Sequence, residues 1–214
     1  MTYSLAIPRS YSGSEITVEF SRNGDRFAHR VNWRSTEGIV STLLKSAEGD
    51  DSQAWPPSPP LQQCHPQELP HGLRTIMGVG RAGRSHWSLV VEAHPDNVTD
   101  WTSTGSQLVF DVACRCPQEG WLGSTYEVAS EANATVGEEC GYVEWQLGGE
   151  IWRLETIPPF VGSSRQDQPF PSRMSHQGQR LSIAALQVPA PQYPATIRWK
   201  YRLYMASPGA GHVP

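Results

Sequence analysis

At 214 residues, 38% apolar and 18% charged, the chain can bury a core of ordinary size, as one large domain or two small ones. Its formal charge of −4 at pH 7 excludes a general electrostatic attraction to nucleic acid or anionic lipid. No run of about 18 apolar residues is present to cross a membrane as a helix.

Eighteen prolines and nineteen glycines, spread between short apolar runs, favour a turn-rich all-β architecture over disorder. The N-terminal stretch MTYSLAIPRSYSGSE lacks a cationic leader followed by an apolar run, so the expected setting is soluble and cytoplasmic. In that setting Cys64, Cys114, Cys116 and Cys140 are reduced thiols, and the sequons at Asn97 and Asn133 carry no weight. Positive charge is almost all arginine, Lys45 and Lys200 being the only lysines, and no function follows from that.

The first element in chain order is EITVEFSRNGDRFAHRVNW, two alternating runs around Asn23-Gly24, a dipeptide suited to a tight hairpin turn. Pairing outward from that turn sets Phe20 opposite Phe27, Val18 opposite His29 and Ile16 opposite Val31. One face is apolar with His29 embedded in it, which predicts a core histidine with a hydrogen-bond partner. In STEGIVSTLLKSAEG, Ser35 could cap a short helix carrying Ile39, Val40, Leu43 and Leu44. Residues 50–72 then hold six prolines and read as a Pro-rich arm or crossing loop.

From residue 86 the alternation is persistent. In HWSLVVEAH, Trp87, Leu89, Val91 and Ala93 face one way, and His86, Ser88, Glu92 and His94 the other. In SQLVFDVACRC, Leu108, Phe110, Val112, Cys114 and Cys116 share the apolar face, with Asp111 and Arg115 opposite. The two runs are predicted to pair antiparallel. YVEWQLGGEIWRLETI is a second hairpin closed by Gly148-Gly149, with Trp145 across from Trp152, Val143 across from Leu154 and Glu144 across from Arg153. RLSIAALQV and ATIRWKYRLYMAS follow as strands. About eight strands, mostly apolar on one face, predict a single all-β domain over residues 1–214, an antiparallel β-sandwich or flattened barrel.

Several motifs invite a chemical reading. Gly78-x-Gly80-x-x-Gly83 has the spacing of a dinucleotide-binding loop, but RSHWSLVVEA after it has a period of two, so the helix that would hold a phosphate is missing. The plainer reading is a turn between two strands. In a weaker functional version, Arg74, Arg81 and Arg84 with free amides bind an anion. Cys114-x-Cys116 could supply thiolates to zinc, completed by Cys64, His65 or Cys140, but both cysteines continue an apolar face on which a thiol acts as a small hydrophobe.

His86, Glu92 and His94 could bind a metal or move a proton, yet His86 and His94 lie about 26 Å apart along a strand at roughly 3.3 Å per residue. Only Glu92 and His94 can meet. His65, Glu68 and His71 are a further loose metal set. WPPSPP fits a polyproline ligand, and Arg198, Lys200 and Arg202 form a basic stripe, although a solvated strand face explains the stripe as well. Trp33, Trp87, Trp145, Trp152 and Trp199 fall on apolar faces. Trp55, Trp101 and Trp121 fall in loops, where indoles can stack on sugars.

No nucleophile, base and orienting group come together, so the leading expectation is a non-catalytic binding or assembly module. Its ligand would be a carbohydrate or an anionic group, bound through Trp55, Trp101, Trp121, Arg74, Arg81 and Arg84. The alternatives are a hydrolase-like, metal-dependent enzyme built on the His/Glu or Cys/His sets, and a barrel enclosing a small apolar ligand. No cofactor, nucleic acid or membrane partner is expected; a small ligand or a protein partner is, and an edge strand would offer a route to an oligomer.

Overall fold

The structure, a computed structural model, describes residues 1–7, 14–50, 52–70, 73–95, 106–128, 135–137, 141–158, 170–187 and 191–206. Strand β1 (Thr2–Ala6) pairs with β2 (Glu15–Asn23), which turns through Gly24-Asp25 into β3 (Arg26–Arg34). Gly24 takes the left-handed φ of +62° that the turn requires. The turn therefore sits one residue later than the Asn23-Gly24 reading. His29 faces Phe20, Val31 faces Val18 and Trp33 faces Ile16, and the apolar face is unchanged.

The helix expected after Ser35 is instead strand β4 (Val40–Ser46). Ser35 does accept a hydrogen bond from the Ile39 amide, but in a hairpin turn rather than a helix cap. The register between β3 and β4 shifts between Val31 and Asn32, where a bulge buries both Leu43 and Leu44. Two adjacent buried leucines broke the alternation and imitated helical spacing.

The Pro-rich stretch is not an arm. Pro56, Ser58, Pro59 and Pro60 are buried, which also withdraws WPPSPP from a polyproline-type partner, and residues Leu61–Glu68 form strand β5. Pro66 is tolerated there because β5 is nearly an edge strand: its second edge meets β3 only at the Phe27–Leu61 pair.

Three long strands follow, β6 (Arg74–Ala82), β7 (Ser85–His94) and β8 (Gln107–Cys116), then β9 (Gly123–Val128), β10 (Thr135–Gly137), β11 (Tyr142–Leu147), β12 (Glu150–Thr156), β13 (Ser172–Gln177), β14 (Arg180–Ala185) and β15 (Ala195–Ala206). The antiparallel pairing of β7 with β8 and the β11–β12 register, Trp145 against Trp152 and Glu144 against Arg153, are as predicted.

All of these strands join one antiparallel, fifteen-stranded sheet, well beyond the eight expected, and the described residues include no helix. Its main path runs β10-β11-β12-β15-β8-β7-β6-β5-β3-β4-β9-β14-β13. At the end of that path β13 returns to β11 and β12, and β14 faces β15, so the sheet curls into a nearly closed barrel. Among the described residues no helix is long and apolar enough to cross a membrane.

The interior is filled by side chains. Phe110 and Tyr201 stack with centroids 5.0 Å apart, Trp87 meets Trp199 edge-on, and Trp33 meets Trp152 in the same way. All five tryptophans expected on apolar faces are buried. His29 lies in this core, its Nε2 3.0 Å from the Tyr126 hydroxyl, which is 2.6 Å from that of Tyr201. Burial depresses its pKa to about 4.

Candidate functional site

The glycine motif that resembled a nucleotide loop lies mostly inside β6. Gly80 lets the chain crossing from β4 approach: a Cβ there would sit 1.7 Å from the Pro60 carbonyl oxygen. Gly83, with φ of +54°, makes the β6–β7 turn. The glycines thus serve strand packing and a turn, and β7 stands where a dinucleotide loop would place its helix.

The same hairpin organises a row of basic side chains. Arg81 on β6 pairs with His86 on β7, which pairs with Arg115 on β8, so the three project from one outer row across adjacent strands about 4.8 Å apart. All three side chains are exposed, and Arg84 stands above them in the turn. Arg84, His86 and Arg115, with Cys116, Pro117 and Pro194, line an open hollow of about 420 Å³. Pro194 reaches it through a cis Tyr193–Pro194 bond. Among the described residues no carboxylate lines the hollow; Glu119 stands two residues beyond Pro117 and close enough to act on the Tyr193 hydroxyl.

The outer surface along β15 is arranged differently. Arg153 bonds Glu144 at 2.7 Å and Arg202 bonds Glu155 at 2.8 Å; Arg198 bonds Asp111 at 2.6 Å, with Lys200 3.7 Å from the same carboxylate. The stripe Arg198-Lys200-Arg202 is therefore matched by acids rather than presented to a partner. It also lies on β15, a central strand between β12 and β8, and not on an edge.

The remaining sequence candidates disperse. His94 Nε2 lies 2.9 Å from Glu92 Oε2, and this hydrogen bond holds the Glu92 carboxyl below its usual range. His86 stands at the opposite end of β7, so the three do not assemble. Cys64 on β5 is three strands from Cys114 and Cys116 on β8, and all three are buried free thiols. Burial pushes the Cys64 thiol up to about 12. Among the described residues no three His, Cys, Asp or Glu side chains group as a metal set. Arg74 sits at the far end of β6, opposite Ala93, roughly 23 Å along the strand from Arg81.

Cys140, Trp101 and His71 lie outside the described residues. Trp55 packs on Gly120 and is half-buried, whereas Trp121 is 40% exposed. Arg115 was visible as a neighbour of His86 from the β7–β8 register, but only the structure adds Pro117 and Pro194 and turns a polar face into a hollow. No protein-family model matches this chain, and no curated protein matches it in sequence.

Proposed function

We propose that this protein is a non-catalytic binding module whose ligand carries an anionic group, seated against Arg84, His86 and Arg115. One observation carries the reading: among the described residues these basic side chains line a hollow without a lining carboxylate, while Arg153, Arg198 and Arg202 on the neighbouring outer surface are each matched to one. Two guanidinium groups and an imidazole offer several N–H donors to an oxyanion, and guanidinium forks suit carboxylate, sulfate and phosphate. Cys116, a thiol lining the hollow, donates to the Ala195 carbonyl and not to His86, so among the described residues no nucleophile is paired with a base there, which favours binding over turnover.

Calorimetric titration with sodium sulfate and sodium phosphate at low ionic strength tests it. Charged hydrogen bonds contribute about 1.5–3 kcal/mol each, so Arg84→Ala with Arg115→Ala should weaken binding by at least about tenfold. Equal affinity in a folded double variant, or no anion binding by the unaltered protein, would refute the proposal.

A further inference from the structure

Resting on the anion-binding reading, we infer that the ligand is an acidic oligosaccharide, its charged group in the hollow and a sugar ring stacked on Trp121. Pro117 lines the hollow, and the four residues from Pro117 to Trp121 can separate the two by no more than about 14 Å. Trp121 is the more exposed of the two loop tryptophans among the described residues.

Its ring is laid against the backbone of β9. A Cβ on Gly123 would come 2.8 Å from both Cζ2 and Cη2 of that indole, so the glycine makes room for it. With its Cζ2 and Cη2 atoms against Gly123 and the residue still 40% exposed, the ring is held at one end and open to solvent elsewhere. A ligand that stacks there immobilises little that is not already immobile.

The loops bearing the platform and the hollow are tied together. Gln187 donates to the Gly120 carbonyl at 2.7 Å and accepts from the Tyr193 hydroxyl, and Tyr193 immediately precedes Pro194 of the hollow. The loop bearing Trp121 is therefore tied to the segment bearing Pro194 of the hollow. Small apolar ligands take enclosed pockets, and flat aromatic ones are best held between two faces. An open surface with one part-exposed indole at one end and basic side chains at the other suits an elongated polar chain. The C–H face of a sugar ring can lie on the indole while a sulfate or uronate oxygen takes the arginines.

The test is calorimetry and tryptophan fluorescence with a chondroitin sulfate tetrasaccharide, beside sodium sulfate at matched ionic strength. The tetrasaccharide is expected to bind more tightly than sulfate and to change the emission. Trp121→Ala should weaken tetrasaccharide binding by about fivefold or more and leave sulfate affinity unchanged, and Trp121→Phe should restore part of the loss. If Trp121→Ala binds the tetrasaccharide as the unaltered protein does, while the Arg84/Arg115 double variant does not, the sugar platform is refuted and the anion site stands. If the unaltered protein binds neither probe, the anion site fails as well.

Discussion

Two titratable side chains withdrawn from solvent act on stability in opposite directions, and one serine bonds the backbone of the first and the carboxyl of the second. The Ser46 hydroxyl accepts the His29 amide at 2.8 Å and donates to Glu48 Oε1 at 2.5 Å. Burial holds His29 at about 4 against a usual 6.5, so between those values the unfolded chain binds more protons and stability falls as pH falls. That loss amounts to about 3 kcal/mol once pH is below 4. Burial raises Glu48 to about 7 from 4.5, and its Oε2 is enclosed without a hydrogen-bond partner among the described residues. Its contribution is complete below pH 4.5 and is lost as pH rises through 7.

From pH 4.5 to 6.5 the two slopes offset. Urea midpoints of the unaltered protein should show no net slope from this pair between pH 5 and 6.5, whereas Glu48→Gln should lose stability at pH 5 relative to 6.5. Identical slopes in both proteins would disprove the offset. A core histidine with a partner was readable at His29 from its place on an apolar face. Its partners were not, because Tyr126 lies 97 positions away on a strand that looks like a loop.

At the scale of elements, alternation was legible wherever one face of a strand is wet. The β11–β12 hairpin shows this: Trp145 and Trp152 are buried and cross-strand partners, as the Gly148-Gly149 turn required. Replacing either by alanine should destabilise the protein by about 3–5 kcal/mol, and an unmoved denaturant midpoint in both variants would mean that neither ring belongs to the core. Strands without that contrast were missed. In β9, GSTYEV, every residue but Glu127 is buried, so no polar face marks it, and Ser124 and Thr125 resemble a turn. Ser124 accepts the Trp199 indole N–H at 3.3 Å and Thr125 accepts the Ser58 hydroxyl at 2.9 Å through its carbonyl. Strand β13, SRMSHQ, has the opposite problem: it ends the sheet path, and only Met174 is buried. The cation hollow falls between these cases, since its strand residues follow from register and its prolines from loop geometry.

At the scale of the molecule, one sheet wraps one core, and a strand from the middle of that sheet is the last described one in the chain. Strand β15 covers the whole of β8, from Gln107–Tyr204 to Cys116–Ala195, and holds β12 along its other edge. During synthesis, Cys116 and Ala195 are separated by 79 positions, so β8 leaves the ribosome about 4–16 s before its neighbour at roughly 5–20 residues per second. For that interval the edge carrying Leu108, Phe110 and Val112 has no strand to meet, and an uncovered apolar edge is a template for association between chains. Chains terminated at residue 190 should therefore sediment as aggregates when released, and adding a synthetic peptide of residues 191–206 during release should return part of them to solution. A truncated chain that stays monomeric would show that the nascent protein shields this edge by other means.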